Sequence, residues 1–280
     1  MKSLLLLCAI ALTSTLYAQV NQQLPTKEWA YYGEQFYTKL KQRTSFNKDE
    51  LNKILTSVHL TSKGRFDTFT STCDKGGCYS HTAVTYDQAR MYMFGQFDRQ
   101  KDDRGAHVVD VYCHKKFYFN NPKDASNMGS QVNIEHTWPQ SKFNGSIDKS
   151  VQKSDMHHLY LTDSLANSRR GNHDFGDTRN NVDELNVENC DISKLAEVDG
   201  RTLFMPPVGH RGNVARSLFY FSVRYKLQIN PEQEKILRQW HKEDPIDENE
   251  FLRHDSVTKV QQNRNPFVDH PEMVDLISDF

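Results

Sequence analysis

The spacing of apolar positions changes period along the chain. After Asn47, Leu51, Ile54, Leu55 and Val58 recur at i, i+3, i+4 and i+7, which is one face of a helix. Asn47 with Glu50 three residues on is a capping-box start, so a packing helix is predicted, and the N-terminal third as a whole reads helical. A middle section is rich in β-prone residues. Val108, Val109, Val111 and Tyr112 form one run and Val132 to Trp138 a second, which Pro139 ends. Thr162-Asp163-Ser164 then reads as a helix start, with Asn167 about one turn inside and Arg170-Gly171 at the end. The last hundred residues return to helix. Asn213 is a candidate cap for a segment in which Val214, Leu218, Phe221, Ser222 and Tyr225 share a face. Asn230-Pro231-Glu232 starts another, with Ile236, Leu237 and Trp240 pointing inward. The pattern predicts an α+β fold with a small central β element surrounded by helices. No repeat or low-complexity linker interrupts it, so residues 19–280 read as a single domain.

The first residues, MKSLLLLCAIALTSTLYAQ, depart from this scheme. One Lys, an apolar run from Leu4 to Leu12 and a small, polar stretch ending at Ala18 form a signal-peptide layout, with residues 1–18 removed. The run is too short to span a bilayer, and Cys8 lies inside it rather than after it. The expectation is a secreted or periplasmic protein with no membrane partner, acting as a monomer. Four cysteines remain, Cys73, Cys78, Cys113 and Cys190, and an even count in an exported chain favours two disulfides. Three pairings are open. Cys73 and Cys78 bracket a flexible Asp-Lys-Gly-Gly turn that lets them pair, which would leave Cys113 for Cys190. A four-cysteine zinc site lacks a second close pair.

With 37% hydrophobic and 25% charged residues, the 280-residue chain is neither disordered, collagen-like nor multi-spanning. Its net charge of -1 speaks, at first sight, against nucleic acid. That figure averages unlike parts. Residues 232–279 hold 6 basic and 12 acidic side chains, and the rest of the chain after residue 18 holds 28 basic against 24 acidic. A modest basic excess outside the tail is compatible with weak, salt-sensitive phosphate binding.

The densest polar clusters are NIEHTWPQSKF at 133–143 and Ser154 to Asp177. Glu135 offers a hard oxygen ligand beside His136, whose ordinary pKa near 6.5 suits proton transfer at neutral pH. Adjacent strand residues face opposite ways, so both serve one site only where the backbone bends. Asn167, projecting from its short helix, completes a pair of oxygen ligands of the kind Mg²⁺ accepts alongside waters and substrate phosphate. His136 would activate water. Each residue also has a plainer reading: a Glu-His dipeptide is common, His157 and His158 suit polar packing, and Arg169 and Arg170 suit a solvated face. Their joint occurrence within about forty residues favours a site.

The strings IEHTWPQS, D-M-H-H-L and N-S-R-R-G-N, followed by GNVARSLFYFSVRY, QWHKEDPIDENE and NRNPFVDHPEMVD, resemble the bacterial endonuclease I family of exported, sugar-nonspecific nucleases. The resemblance runs from about Leu51 to Asp275. It implies a ββα-metal fold with one divalent ion, Mg²⁺ with Ca²⁺ or Mn²⁺ as substitutes, held by Glu135 and Asn167. It also implies His136 as general base and DNA and RNA substrates cut without sequence specificity to give 5′-phosphate products. Arg170 matches the arginine of the family's N-x-x-R-x-N stretch, in a phosphate-facing or structural role, and Arg169 joins it as a substrate-binding candidate. His158 stands where the family form has Asn. A further phosphate-facing arginine has no match, and Lys142, Lys149 or Lys153 would stand in. The alternative is a catalytically weak extracellular nucleic-acid-binding protein of the same fold. A zinc hydrolase lacks its H-E-x-x-H helix.

Overall fold

A computed structural model describes residues 27–74, 76–121, 124, 130–144, 147–178 and 180–280, so the expected leader lies outside the described residues. The fold is mixed α+β. Its strands are not gathered into one central element. They form small separate sheets: Val58–Leu60 between Thr68–Thr70 and Cys78–Tyr79, the Arg99–Asp102, Gly105–Val109 and Lys116–Tyr118 meander, the antiparallel pair of Val132–His136 with Leu159–Asp163, and a four-stranded sheet that includes Lys194–Val198 and Arg201–Met205.

Helix starts follow their local chemistry. Asn47 caps Lys48–Thr56 in a full capping box, but the helix stops before Val58, which opens a strand instead of completing the helical face. The N-terminal third is therefore helix followed by sheet. Asp163 caps Ser164–Arg170 and Asn230 caps Pro231–Glu243. Asn213 does not cap: the Arg211–Tyr225 helix begins two residues earlier, after a 3₁₀ turn ending at His210, and places Asn213 in its first turn. The run from Val108 to Tyr112 is also split. The Asp110 carboxylate accepts the backbone N–H groups of Tyr112, Cys113 and Lys115, and so turns the chain out of the strand after Val109.

The Arg211–Tyr225 helix is buried along nearly its whole length and anchors the larger core, with Phe219, Phe221, Trp240, Phe267 and Phe280. A second apolar cluster, including Met93, Phe94, Val108, Val132, Ile134 and Leu161, packs around the Val132–His136 pair. Both remaining cysteine pairs are bonded, Cys73 to Cys78 and Cys113 to Cys190. No helix among the described residues is long and apolar enough to cross a membrane.

Candidate active site

Val132–His136 pairs antiparallel with Leu159–Asp163, Glu135 opposite Tyr160 and His136 opposite Leu159, and the second strand runs directly into Ser164–Arg170. The Asp163 carboxylate receives the Leu165 and Ala166 N–H groups at 2.9 Å each, fixing where that helix starts. Gly171, at φ +56, ends it in a conformation that L side chains rarely adopt. Strand and helix are thereby held so that Glu135, His136, Asn167 and Arg170 line one cavity of about 400 Å³. The two adjacent residues both line it, at the C-terminal end of the strand.

The His136 ring lies between polar anchors. Its Nε2 lies 3.0 Å from the Lys153 carbonyl oxygen, so Nε2 carries the proton and donates. Nδ1 is then the acceptor, and the Gln140 amide approaches it at 3.3 Å. Tyr86 stacks on the ring at 5.7 Å, and His158 meets it edge-on at 5.5 Å. Burial, followed by the neighbouring His158, lowers His136 to about 3, so the ring is neutral at neutral pH.

Glu135 is 2% exposed, and its Oε1 has no hydrogen-bond partner. Arg170 Nη1 lies 3.2 Å from that oxygen. Burial raises Glu135 to about 6, against the opposing pull of the Arg170 guanidinium and then of Tyr112. Asn167 donates Nδ2–H to the Ile134 carbonyl oxygen at 3.2 Å, which leaves its amide oxygen as the available acceptor. Two hard oxygen donors, the Glu135 carboxylate and the Asn167 amide oxygen, suit a hard divalent cation that retains most of its water. Such a site needs few protein ligands. No cluster of three or more His, Cys, Asp or Glu side chains suited to a metal occurs among the described residues.

The cationic candidates separate. Arg170 lines the cavity but is buried, and its donors go to the Thr137 carbonyl at 2.7 Å and the Gly171 carbonyl at 3.2 Å, with the ion pair to Glu135. It supports the strand end where ladder partners run out. Arg169 is exposed and does not line the cavity. Lys142 pairs with Asp174 at 2.6 Å, and Lys149 is exposed away from the cavity. Lys153 does line it, its ammonium 4.5 Å over the Tyr86 ring. His158 is fully buried, bonded to the Gln152 carbonyl at 2.8 Å and packed on Phe221, and takes no part in the cavity. His157 is likewise buried, bonded to the Asn263 carbonyl.

Sequence reasoning missed Tyr86 and Gln140. Tyr86 opens a helix that the Thr85–Gln88 capping box announces, although nothing local marks it as part of a site. Gln140 lies inside the IEHTWPQS string itself.

A family model described as Endonuclease I matches residues 75–272. An extracellular ribonuclease of Bacillus subtilis (strain 168) is 33% identical over 57% of this chain and 59% of its own length. An extracellular ribonuclease of Bacillus amyloliquefaciens is 29% identical, with 70% of this chain and 69% of the relative covered. An extracellular deoxyribonuclease of Aeromonas hydrophila is 26% identical, with 59% and 82% covered. The chain thus spans somewhat over half the length of the first of these relatives.

Proposed function

This chain belongs to the endonuclease I family, and on that footing we propose that it is an exported, metal-dependent endonuclease cutting DNA and RNA without sequence specificity. Residues 132–170 would form a ββα-metal site within one domain spanning residues 19–280, after removal of a leader at residues 1–18. The observation that carries this reading is the gathering, in one cavity, of a His136 ring with Nδ1 left as acceptor, the Glu135 carboxylate and the Asn167 amide.

Glu135 and Asn167 would hold a single divalent ion, Mg²⁺ in the first instance. When bound, that ion supplies positive charge to the phosphate and to the departing 3′-oxygen, which leaves the phosphate on the 5′ side. His136 Nδ1 takes the proton of the attacking water while Nε2–H stays on the Lys153 carbonyl. An anionic phosphate beside the ring favours the imidazolium that forms, offsetting the burial that otherwise keeps the ring neutral. Lys153 contributes a phosphate-facing cation. Arg170 orients Glu135 and the strand end in place of touching substrate.

The test is cleavage of plasmid DNA by the mature protein. Nicking and then fragmentation are expected with Mg²⁺, none with EDTA, and a loss of about 10²-fold or more in His136→Ala. Unchanged rates in EDTA or in His136→Ala would overturn the mechanism. Retained binding without cleavage by the unsubstituted protein would favour the weak-binder alternative.

A further inference from the structure

The proton acceptor of the candidate base already has a neighbour. With Nε2–H on the Lys153 carbonyl, His136 Nδ1 is the ring nitrogen left to take a proton from water, and the Gln140 side chain stands 3.3 Å from it. The contact fixes which way the amide faces: its nitrogen donates, because its oxygen there would set lone pair against lone pair. Water does not reach Nδ1 along that direction until the amide withdraws. The backbone beneath is held and the side chain is not. Gln140 opens a 3₁₀ turn after Pro139, the Trp138 indole N–H ties that turn to the Lys142 carbonyl at 3.1 Å, and Gln140 itself is exposed. A side chain so placed swings without moving the strand end.

An attacking water has two protons, and His136 takes one. The other needs an acceptor if the oxygen lone pair is to be aimed at phosphorus. The cavity offers few. The Glu135 and Asn167 oxygens go to the ion, Lys153 only donates, Asn133 Oδ1 already accepts the Ile134 N–H at 2.7 Å, and Ser141 Oγ accepts from the Asn172 amide at 3.4 Å. The Gln140 amide oxygen is engaged by no hydrogen bond among the described residues, and it belongs to the side chain already at Nδ1. A withdrawal of about 2 Å, with the amide turned over, leaves room for one water between Nδ1 and that oxygen. We propose that Gln140 is a further catalytic residue, which orients the attacking water. The water donates one O–H to His136 Nδ1 and the other to Gln140 Oε1. Its oxygen bonds to phosphorus as the bond from phosphorus to the 3′-oxygen breaks, and the electron pair of that bond leaves with the 3′-oxygen, which takes up a proton from solvent. The first water proton ends on Nδ1 and the second stays on the new phosphate oxygen. A neutral amide suits the position, since a carboxylate there would repel the phosphate. The assignment rests on the nuclease reading above and adds a residue to its chemistry.

Two measurements test it. Without metal or substrate, the rate at which diethyl pyrocarbonate acylates His136, followed by peptide mass mapping, should rise about fivefold in Gln140→Ala, because the donor that covers Nδ1 is gone. An unchanged rate would overturn the contact in solution. With Mg²⁺ and a short single-stranded DNA, kcat should fall about tenfold or more in Gln140→Ala and equally in Gln140→Met, which keeps the length and bulk but lacks the acceptor, while KM stays within about twofold. Full kcat in Gln140→Met would reduce Gln140 to packing. A raised KM with kcat kept would make it a phosphate contact, and a higher kcat would make it merely an obstruction; each overturns the assignment. Unimpaired Gln140 variants beside an inactive His136→Ala would sink the role of Gln140 alone, whereas no cleavage by the unsubstituted protein would sink the nuclease reading with it.

Discussion

At the scale of single residues, neighbours in sequence have opposite fates. Arg169 and Arg170 differ by one position, yet one is exposed and the other is buried against the Phe175 ring, 4.6 Å from its centroid. The duties of Arg170 are geometric: a fork across carbonyls at the strand end and a charge beside Glu135. Arg170→Met should lower stability by about 3–5 kcal/mol in urea denaturation, because the Glu135 carboxylate would be buried without compensation. Arg170→Lys should not restore it, since an ammonium cannot reproduce the planar fork; full recovery by Lys would show that charge alone matters. Among the lysines, Lys153→Ala should reduce plasmid cleavage about tenfold by removing a charged phosphate donor, with Lys149→Ala near unity. Equal losses in both would indicate only a general electrostatic effect. That Glu135, His136 and Asn167 come together in one cavity was legible because they fall within a single short strand-to-helix segment. Which arginine turns inward and which lysine faces the cavity depended on packing partners remote in sequence, such as Phe175 and Tyr86, and was not.

At the scale of elements, caps were the legible feature because they are short-range. Asn47, Asp163 and Asn230 all accept the N–H groups that their position implies. Asn213 failed for a tertiary reason. The helix begins before it, at Arg211, and includes Gly212, where a Cβ would collide with the Asp244 carbonyl oxygen and where the Gly212 N–H bonds to the Asp244 carboxylate at 2.7 Å. That close approach of two chain segments leaves no periodic trace. The Asp163 cap has more than local consequences, since it sets the start of the helix carrying Asn167 and also pairs with Lys115 at 2.9 Å. Asp163→Ala should cost about 1 kcal/mol of stability. It should also raise the Mg²⁺ concentration needed for half-maximal cleavage, measured at a temperature where the variant is fully folded. An unchanged metal requirement would mean that the helix keeps its register without the cap.

At the scale of the whole molecule, the acidic tail is less of a surface feature than its composition suggests. Glu250 forms a buried two-pronged pair with Arg216, Asp269 pairs with Arg264, and Glu234 with Arg238. Three of the tail's twelve carboxylates are therefore turned inward and paired, one of them with an arginine outside the tail, while the acidic excess of the segment is left nearly unchanged. The same interior holds histidines that cannot protonate in place. Burial is the largest influence on each, lowering His157 to about 3, His158 to about 4 and His210 to about 3. In the unfolded chain each titrates near 6.5. Between those limits the unfolded state binds protons that the folded state refuses, so this contribution is complete above about pH 6.5 and is lost as pH falls towards 3. Asp155 acts at lower pH: burial alone would raise it, but the Arg224 guanidinium holds it well below the carboxylate range. Its stabilisation is present above about pH 4 and disappears only in stronger acid. The urea midpoint should therefore fall already between pH 7 and pH 5, by several kcal/mol in equivalent stability, before the carboxylates titrate. His158→Asn, which removes one of these imidazoles, should give a shallower fall over that range. A midpoint that stayed level down to pH 5 would mean that these histidines gain protons without unfolding the core around them.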